Sequence, residues 1–118
     1  MSLPPPPIIT VTAHDSAAVV AMLESRLDME RALEFKARVE DVIDGGATQI
    51  VLDMSEVTYM DSSGLGTVVS VFKRMPSGGF HVTGLRPNVR TLFQITRLDR
   101  FINVYATVDE AVAAFRRA

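Results

Sequence analysis

The residues best suited to chemistry form one short stretch in the middle of the chain, residues 60–66, with the sequence Met-Asp-Ser-Ser-Gly-Leu-Gly. The stretch follows an apolar run at residues 50–52 and precedes a helix-like run over residues 65–75. Hydroxyl groups near a helix N-terminus are exposed, and the unpaired backbone N–H groups there favour an anion. A strand, an acidic turn and serines at a helix start therefore predict a site for a reversible phosphate.

A serine in this position also raises the alternative of a catalytic nucleophile, for which the local pattern is incomplete. A nucleophile elbow requires glycine two residues before the serine, whereas Met60 holds that place before Ser62. The serine would also need a base, and the two histidines, His14 and His81, are interpreted as ordinary surface residues. The members of a triad are remote in sequence, so hydrolysis stays an alternative, but we expect a protein that is not an enzyme.

Metal and nucleotide binding have little support in the sequence. Two isolated histidines and no cysteine provide no metal-ligand spacing. Gly64 and Gly66 lack the third glycine of a dinucleotide fingerprint, since Val69 stands there, and no Gly-Lys-Ser/Thr of a Walker A loop follows. We expect no cofactor and packing roles for both glycines: Gly64 lets the first helical turn pack closely, and Gly66 leaves room for a neighbouring strand.

The composition is that of one ordinary globular domain. With 118 residues, 47% of them hydrophobic, the chain can bury a single core. The lack of cysteine excludes disulfide and thiol chemistry. No apolar run reaches the ~18 residues of a membrane span, and the proline-rich residues 1–7 lack the features of a signal peptide. We therefore expect a flexible tail at residues 1–7, a domain at residues 8–118, no membrane association and a cytoplasmic location.

Charge is distributed unequally between the two halves of the chain. Residues 1–61 carry 11 acids and 4 bases, whereas residues 62–118 carry 3 acids and 8 bases. A basic half can indicate nucleic acid binding. Here the arginines are spread over a predicted helix and its ends, without interleaved aromatic residues, so we expect no direct contact with nucleic acid.

Alternating strand-like and helix-like segments predict an α/β fold. Helical periodicity covers residues 29–44, which Gly45 and Gly46 end, and residues 62–75, with a predicted core stripe of Leu65, Val68, Val69 and Phe72. A third helix opens at Pro87, and a capping box at residues 107–110 begins the last one. The predicted strands are residues 8–12, 17–24, 49–54, 80–84 and 102–105.

Residues 50–55 (IVLDMS) together with residues 61–66 (DSSGLG) closely resemble the STAS domain of bacterial anti-sigma factor antagonists. The resemblance covers nearly the whole chain from Ile8. It implies a single STAS-like domain with a mixed β-sheet and helices packed mainly on one face. It also implies that Ser62, the first serine after the aspartate, is the residue phosphorylated by a partner kinase.

The resemblance further implies a set of partner-binding residues around Ser62. Asp28 resembles the aspartate that closes the family's second strand, although Ser25-Arg26 stands where the family usually has glycine. Arg86 precedes Pro87 where the family tends to place serine, which weakens the cap of the third helix. Asp53 and Asp61 are open to two interpretations, as caps for backbone N–H groups or as residues that orient Ser62 or contact the partner. The partner-binding set is Asp28, Asp53, Asp61, Ser62, Ser63 and Gly64.

The function implied by the resemblance is that of a regulatory binding module. The unphosphorylated protein would bind an anti-sigma factor with serine kinase activity and so free a sigma factor. Phosphorylation would end that binding, and a serine phosphatase would restore it. The alternative from another class is structural: a STAS scaffold subunit of a larger signalling assembly, or an accessory subunit of a transport system. A large mass in solution would indicate a scaffold, and a small one the switch.

Overall fold

Strands and helices alternate along residues 2–117, the part of the chain that this computed structural model describes. No helix in that part is both long and apolar enough to cross a bilayer. The strands are β1 Ile9–His14, β2 Ala17–Met22, β3 Arg26–Leu27, β4 Ile50–Asp53, β5 Tyr59–Met60, β6 Phe80–Thr83 and β7 Asn103–Tyr105. The helices are α1 Met29–Asp44, α2 Ser62–Arg74, α3 Pro87–Ile95 and α4 Val108–Arg116, with a 3₁₀ turn at Leu98–Arg100.

Five strands form one mixed sheet in the spatial order β1-β2-β4-β6-β7. β1 and β2 make an antiparallel hairpin that turns at Asp15, whose φ of 57° lies in the left-handed region that aspartate tolerates. β4, β6 and β7 run parallel to β2, and the connections between them contain helices, as parallel crossovers require. The predicted mixed α/β fold is confirmed.

Three helices cover one face of this sheet, and the fourth covers the other. α1, α2 and α3 pack on the main core, whereas α4 packs on a smaller cluster around Val51. Because both faces of β4 are covered, Ile50, Val51 and Leu52 are fully buried, as their continuous apolar run predicted. Burial of each such side chain stabilises the fold by roughly 1.5–3 kcal/mol. The expectation of helices mainly on one face is confirmed.

The core-facing side of α2 is offset by one residue from its predicted stripe. The buried side includes Gly64 and Thr67. Neither is a large apolar residue, so apolar spacing in the sequence does not reveal them. Leu65 and Phe72 lie at the flank of this side and are partly buried against the core. The predicted stripe was Leu65, Val68, Val69 and Phe72, and the buried residues are Gly64, Thr67, Val68 and Val71.

His81 is buried beneath α4, so its interpretation as a surface histidine was wrong. The side chain is 3% exposed, and its ring stacks on Phe115 at 4.0 Å between ring centroids. Its Nδ1 donates a hydrogen bond to the carbonyl of Ala111 at 2.9 Å. Burial lowers the pKa of His81, although the bond to that carbonyl opposes the shift. His14, by contrast, is exposed as predicted, and it is the last residue of β1.

We expect the free energy of unfolding to fall more steeply between pH 7.5 and pH 5 in the wild type than in His81→Phe. The unfolded chain takes up a proton near the ordinary histidine pKa of about 6.5, whereas folded His81 resists protonation because its pKa is lowered. The contribution of His81 to the free energy of unfolding is therefore complete above about pH 6.5. Below that pH it is lost, by up to about 1.4 kcal/mol per pH unit. Urea denaturation at each pH measures this slope, and equal slopes would contradict the prediction.

Candidate functional site

Two short parallel strands bring the N-termini of α1 and α2 side by side. β3 pairs with β5 through Leu27↔Met60, and the residue that follows each strand is an aspartate. Asp28 is the N-cap of α1 and Asp61 is the N-cap of α2. The two helices therefore begin level with one another and run in the same direction, with Ser62 at the start of the second.

The carboxylate of Asp61 binds both helices at once. Its Oδ1 accepts a hydrogen bond from the backbone N–H of Gly64 in α2, and its Oδ2 accepts one from the backbone N–H of Met29 in α1, each at 3.0 Å. These N–H groups have no partner within their own helices. Asp61 is therefore a structural cap, and by joining the two helices it also fixes the position of the adjacent Ser62.

Asp28 supports the site from a partly buried position. It accepts a hydrogen bond from the backbone N–H of Arg31 at 3.3 Å and pairs with Arg26 Nε at 3.1 Å and Arg31 Nη1 at 3.3 Å. Burial by itself would raise the pKa of Asp28, but the hydrogen bonds from the two arginines outweigh it and hold that pKa below its ordinary value. The side chain is 13% exposed, so Asp28 positions α1 more than it presents a carboxylate to solvent.

Arg26 has a defined role beside Asp28. Its guanidinium lies 4.2 Å from the centroid of the Tyr59 ring on the neighbouring strand, a cation–π arrangement. Asp28 still caps α1 with Arg26 beside it, and Arg26 adds a contact across the β3–β5 pair.

The two glycines of the motif differ sharply in their surroundings. A Cβ on Gly64 would lie 2.0 Å from the carbonyl oxygen of Leu27, so only glycine allows the first turn of α2 to approach β3 this closely. The predicted packing role of Gly64 is confirmed. A Cβ on Gly66 would meet no atom within 4 Å, and the residue is exposed. The expectation that Gly66 makes room for a neighbouring strand was wrong.

The two serines at the start of α2 also differ in exposure. Ser62, the first residue of the helix, is exposed, whereas Ser63 is partly buried. Successive helical residues point about 100° apart, which explains why one hydroxyl faces solvent while its neighbour turns toward the protein. Ser62 is therefore the more accessible serine of the pair.

Asp53 lies one loop away from this cluster and shapes that loop. Its Oδ1 accepts a hydrogen bond from the backbone N–H of Ser55 at 3.0 Å. Arg86, which makes no side-chain cap for α3, instead donates from Nε to the carbonyl of Ser55 at 2.8 Å. Asn88 donates to the carbonyl of Thr58 at 2.6 Å. The structure therefore brings together Asp28, Asp61, Ser62, Ser63 and Gly64. Asp53 instead binds the backbone of Ser55 and makes no hydrogen bond to Ser62 among the described residues.

Neither histidine is placed to activate Ser62. His14 pairs with Ala17 at the start of β2, at the opposite end of the sheet from the carboxyl ends of the parallel strands. His81 lies on the face covered by α4, away from α1 and α2. Residues 2–117 contain no group of three or more histidines, cysteines or carboxylates that could hold a metal ion. The cluster around Ser62 is thus an exposed hydroxyl with capping carboxylates, suited to modification and binding.

We expect Asp61→Ala to lower the free energy of unfolding by about 1–3 kcal/mol, because the cap of α2 and the hydrogen bond to the Met29 N–H of α1 are both lost. Asp61→Asn should cost about half as much, since its amide oxygen can still cap one helix but its NH₂ group cannot accept from the other. Asp41→Asn, which alters an exposed ion pair with Arg38, is the control and should change stability by less than about 0.5 kcal/mol. Urea denaturation measures all three; identical values for Asp61→Asn and the wild type would contradict the two-helix cap.

Comparison with known proteins agrees with this architecture. The family model described as the STAS domain matches residues 9–111. A Thermotoga maritima protein assigned as an anti-sigma factor antagonist is 33% identical over 102 residues, which are 84% of this chain and 90% of that protein.

Two solved structures are similar to this fold. The structure of an anti-sigma factor antagonist from Mycobacterium paratuberculosis superposes with a TM-score of 0.84 and 28% identity over 92% of each chain. The Bacillus cell fate determinant SpoIIAA, in its phosphorylated form, superposes with a TM-score of 0.67 and 25% identity over 89% of this chain and 96% of that one. The motif, the fold and these matches lead to one conclusion: this chain belongs to the STAS domain family.

Proposed function

We propose that this protein is an anti-sigma factor antagonist whose binding is switched by phosphorylation of Ser62. The observation that carries the proposal is the exposed Ser62 hydroxyl at the first position of α2, held in place by the Asp61 carboxylate. The relatives named as anti-sigma factor antagonists support the partner class. The structure of SpoIIAA in its phosphorylated form supports the chemistry.

The unphosphorylated surface is the binding-competent one in this mechanism. A partner that covers Ser62 must remove water from a hydroxyl, which costs far less than removing water from an ion. A phosphate adds about −1.5 to −2 charges at neutral pH, directly after Asp61 in the chain and six residues after the exposed Glu56. Repulsion and desolvation at the interface then end the binding, without any change in the fold.

The partner is an anti-sigma factor with serine kinase activity, which transfers the γ-phosphoryl group of ATP to the Oγ of Ser62. The hydroxyl proton passes to a base of the kinase, and ADP leaves. A serine phosphatase hydrolyses the ester and restores the hydroxyl. No nucleic acid, membrane or catalytic activity is needed for this cycle, and it fits a cytoplasmic protein. A mass close to one or two chains in solution would support it over the scaffold alternative.

We expect phosphate on Ser62 and none on Ser63 when the protein is incubated with ATP and its kinase. Each kinase-type anti-sigma factor of the source organism is purified and tested, and mass spectrometry maps the phosphate. Ser63→Ala is the matched control and should still be modified, whereas Ser62→Ala should not. Phosphate on Ser63 alone would overturn the assignment.

We expect Ser62→Asp to bind that kinase about tenfold or more weakly than Ser62→Ala, because it adds a like charge where the partner must exclude water. Aspartate carries one charge and lacks the three phosphate oxygens, so its effect should be smaller than that of phosphorylation. Calorimetric titration measures both affinities. Equal affinities of the two variants would refute the electrostatic mechanism.

Phosphorylation should leave the melting temperature almost unchanged. The helix N-terminus favours the added charge by about 0.3–1 kcal/mol, and repulsion from nearby carboxylates opposes it by a similar amount when screened by salt. Both are small beside the about 5–15 kcal/mol stability of a typical domain. Thermal melts and amide NMR spectra compare the two forms, and shifts throughout the core would show that phosphorylation acts by refolding instead.

A further inference from the structure

Two large apolar side chains are exposed on α1 close to Ser62. Met29 is 75% exposed and Leu33 is 79% exposed. They are four residues apart, so they lie on one side of the helix, one turn from each other. The backbone N–H of Met29 is bound to the carboxylate of Asp61, the residue before Ser62. Met29 is therefore fixed beside the proposed phosphorylation site, and Leu33 lies one turn further along α1.

The pairing of α1 with α2 shows which side of α1 these residues occupy. The helices begin level at Asp28 and Asp61, and they remain neighbours at their far ends, where Arg74 of α2 pairs with Glu40 of α1 at 3.4 Å. Leu33 precedes Glu40 by two turns, so it lies on the same side, toward α2. Leu33 and Gly66 each follow their cap by five residues, at about 7.5 Å along their helices.

Gly66 forms the other side of this surface. Packing within the free protein does not explain why a glycine stands at this position. It follows Ser62 by four residues, so both lie on one side of α2. Its Cβ position is open space, and glycine inside a helix is about 1 kcal/mol less favourable than alanine. A glycine that weakens its helix and accommodates no neighbour within the chain leaves the α2 backbone accessible from outside.

We propose that Met29, Leu33, Ser62 and Gly66 form a docking surface for the anti-sigma factor kinase, which inserts a bulky apolar side chain against Met29 and Leu33 and over the bare backbone at Gly66. This inference rests on the proposed function and adds to it the part of the surface that provides affinity. A few residues in the well-packed, desolvated centre of an interface contribute most of the binding energy in many complexes.

The charges around this docking surface specify the chemistry of the partner further. At the end of the surface nearest Ser62, Glu30 is exposed beside Met29, while Arg31 is paired with Asp28 and Glu24. Lys36, which follows Leu33 by three residues, is half-buried at the other end. The rim is therefore acidic at the Ser62 end, and the complementary partner surface there is an apolar residue flanked by lysine or arginine. A phosphate on Ser62 would place two negative charges beside a contact that must become dry, which explains why modification of one hydroxyl suffices to end binding.

Gly66→Leu separates binding from folding. Leucine is a better helix former than glycine, and the open space at this position accepts its side chain, so the melting temperature should stay the same or rise by a few degrees. Affinity for the purified kinase that phosphorylates Ser62 should fall at least about tenfold, because the side chain fills the docking surface. Met29→Ser and Leu33→Ser should each weaken binding by about fivefold or more.

Ile95→Ser is the matched control, since Ile95 is 73% exposed at the far end of α3, and it should bind like the wild type. Calorimetric titration of the unphosphorylated protein measures every variant. Wild-type affinity of both Gly66→Leu and Leu33→Ser, with binding still weakened by Ser62→Asp, would overturn the docking surface and leave the proposed function standing. If neither Ser62→Asp nor phosphorylation changes the affinity, the proposed function would instead be overturned.

Discussion

The arrangement of the site depends on one carboxylate, that of Asp61, which joins two helices. α1 and α2 lie side by side with their positive dipole ends together, an arrangement that is unfavourable without compensating negative charge. Asp61 supplies this charge to both helices through two 3.0 Å hydrogen bonds, and Asp28 adds a second carboxylate to α1. The short β3–β5 pair and the position of Ser62 follow from this junction.

The site and the rest of the fold have separate roles. The sheet and its two apolar layers provide stability, and α4 closes a face that does not contact Ser62. The proposed switch lies where helix N-termini already tolerate negative charge, so a phosphate changes what the surface offers to another protein without competing with the core. Met29 and Leu33 remain exposed near it. The residues proposed to provide affinity therefore lie close to the residue proposed to control it.

The sequence predicted α1 at its observed limits because apolar side chains recur at helical spacing over residues 29–44 and a pair of glycines marks the end. It predicted the exposed Ser62 because exposure there follows from the place of Ser62 at a helix start, and it predicted the tight packing of Gly64 without identifying the neighbour, which is Leu27. It missed β3 and β5, since two residues are too few to show alternation. It also missed the bond between Asp61 and Met29 and the burial of His81, because each depends on contacts between residues about thirty positions apart.

The close approach of Gly64 to the Leu27 carbonyl has a consequence for regulation. With no space between α2 and β3, the first turn of α2 cannot slide or tilt to relay a signal into the sheet. Under the proposed mechanism the surface around Ser62 keeps one conformation, and its binding state depends only on whether the Ser62 hydroxyl is phosphorylated. The kinase and the phosphatase must then recognise the same immobile epitope, so they exclude one another, and the modified fraction depends on the ratio of the two enzymes.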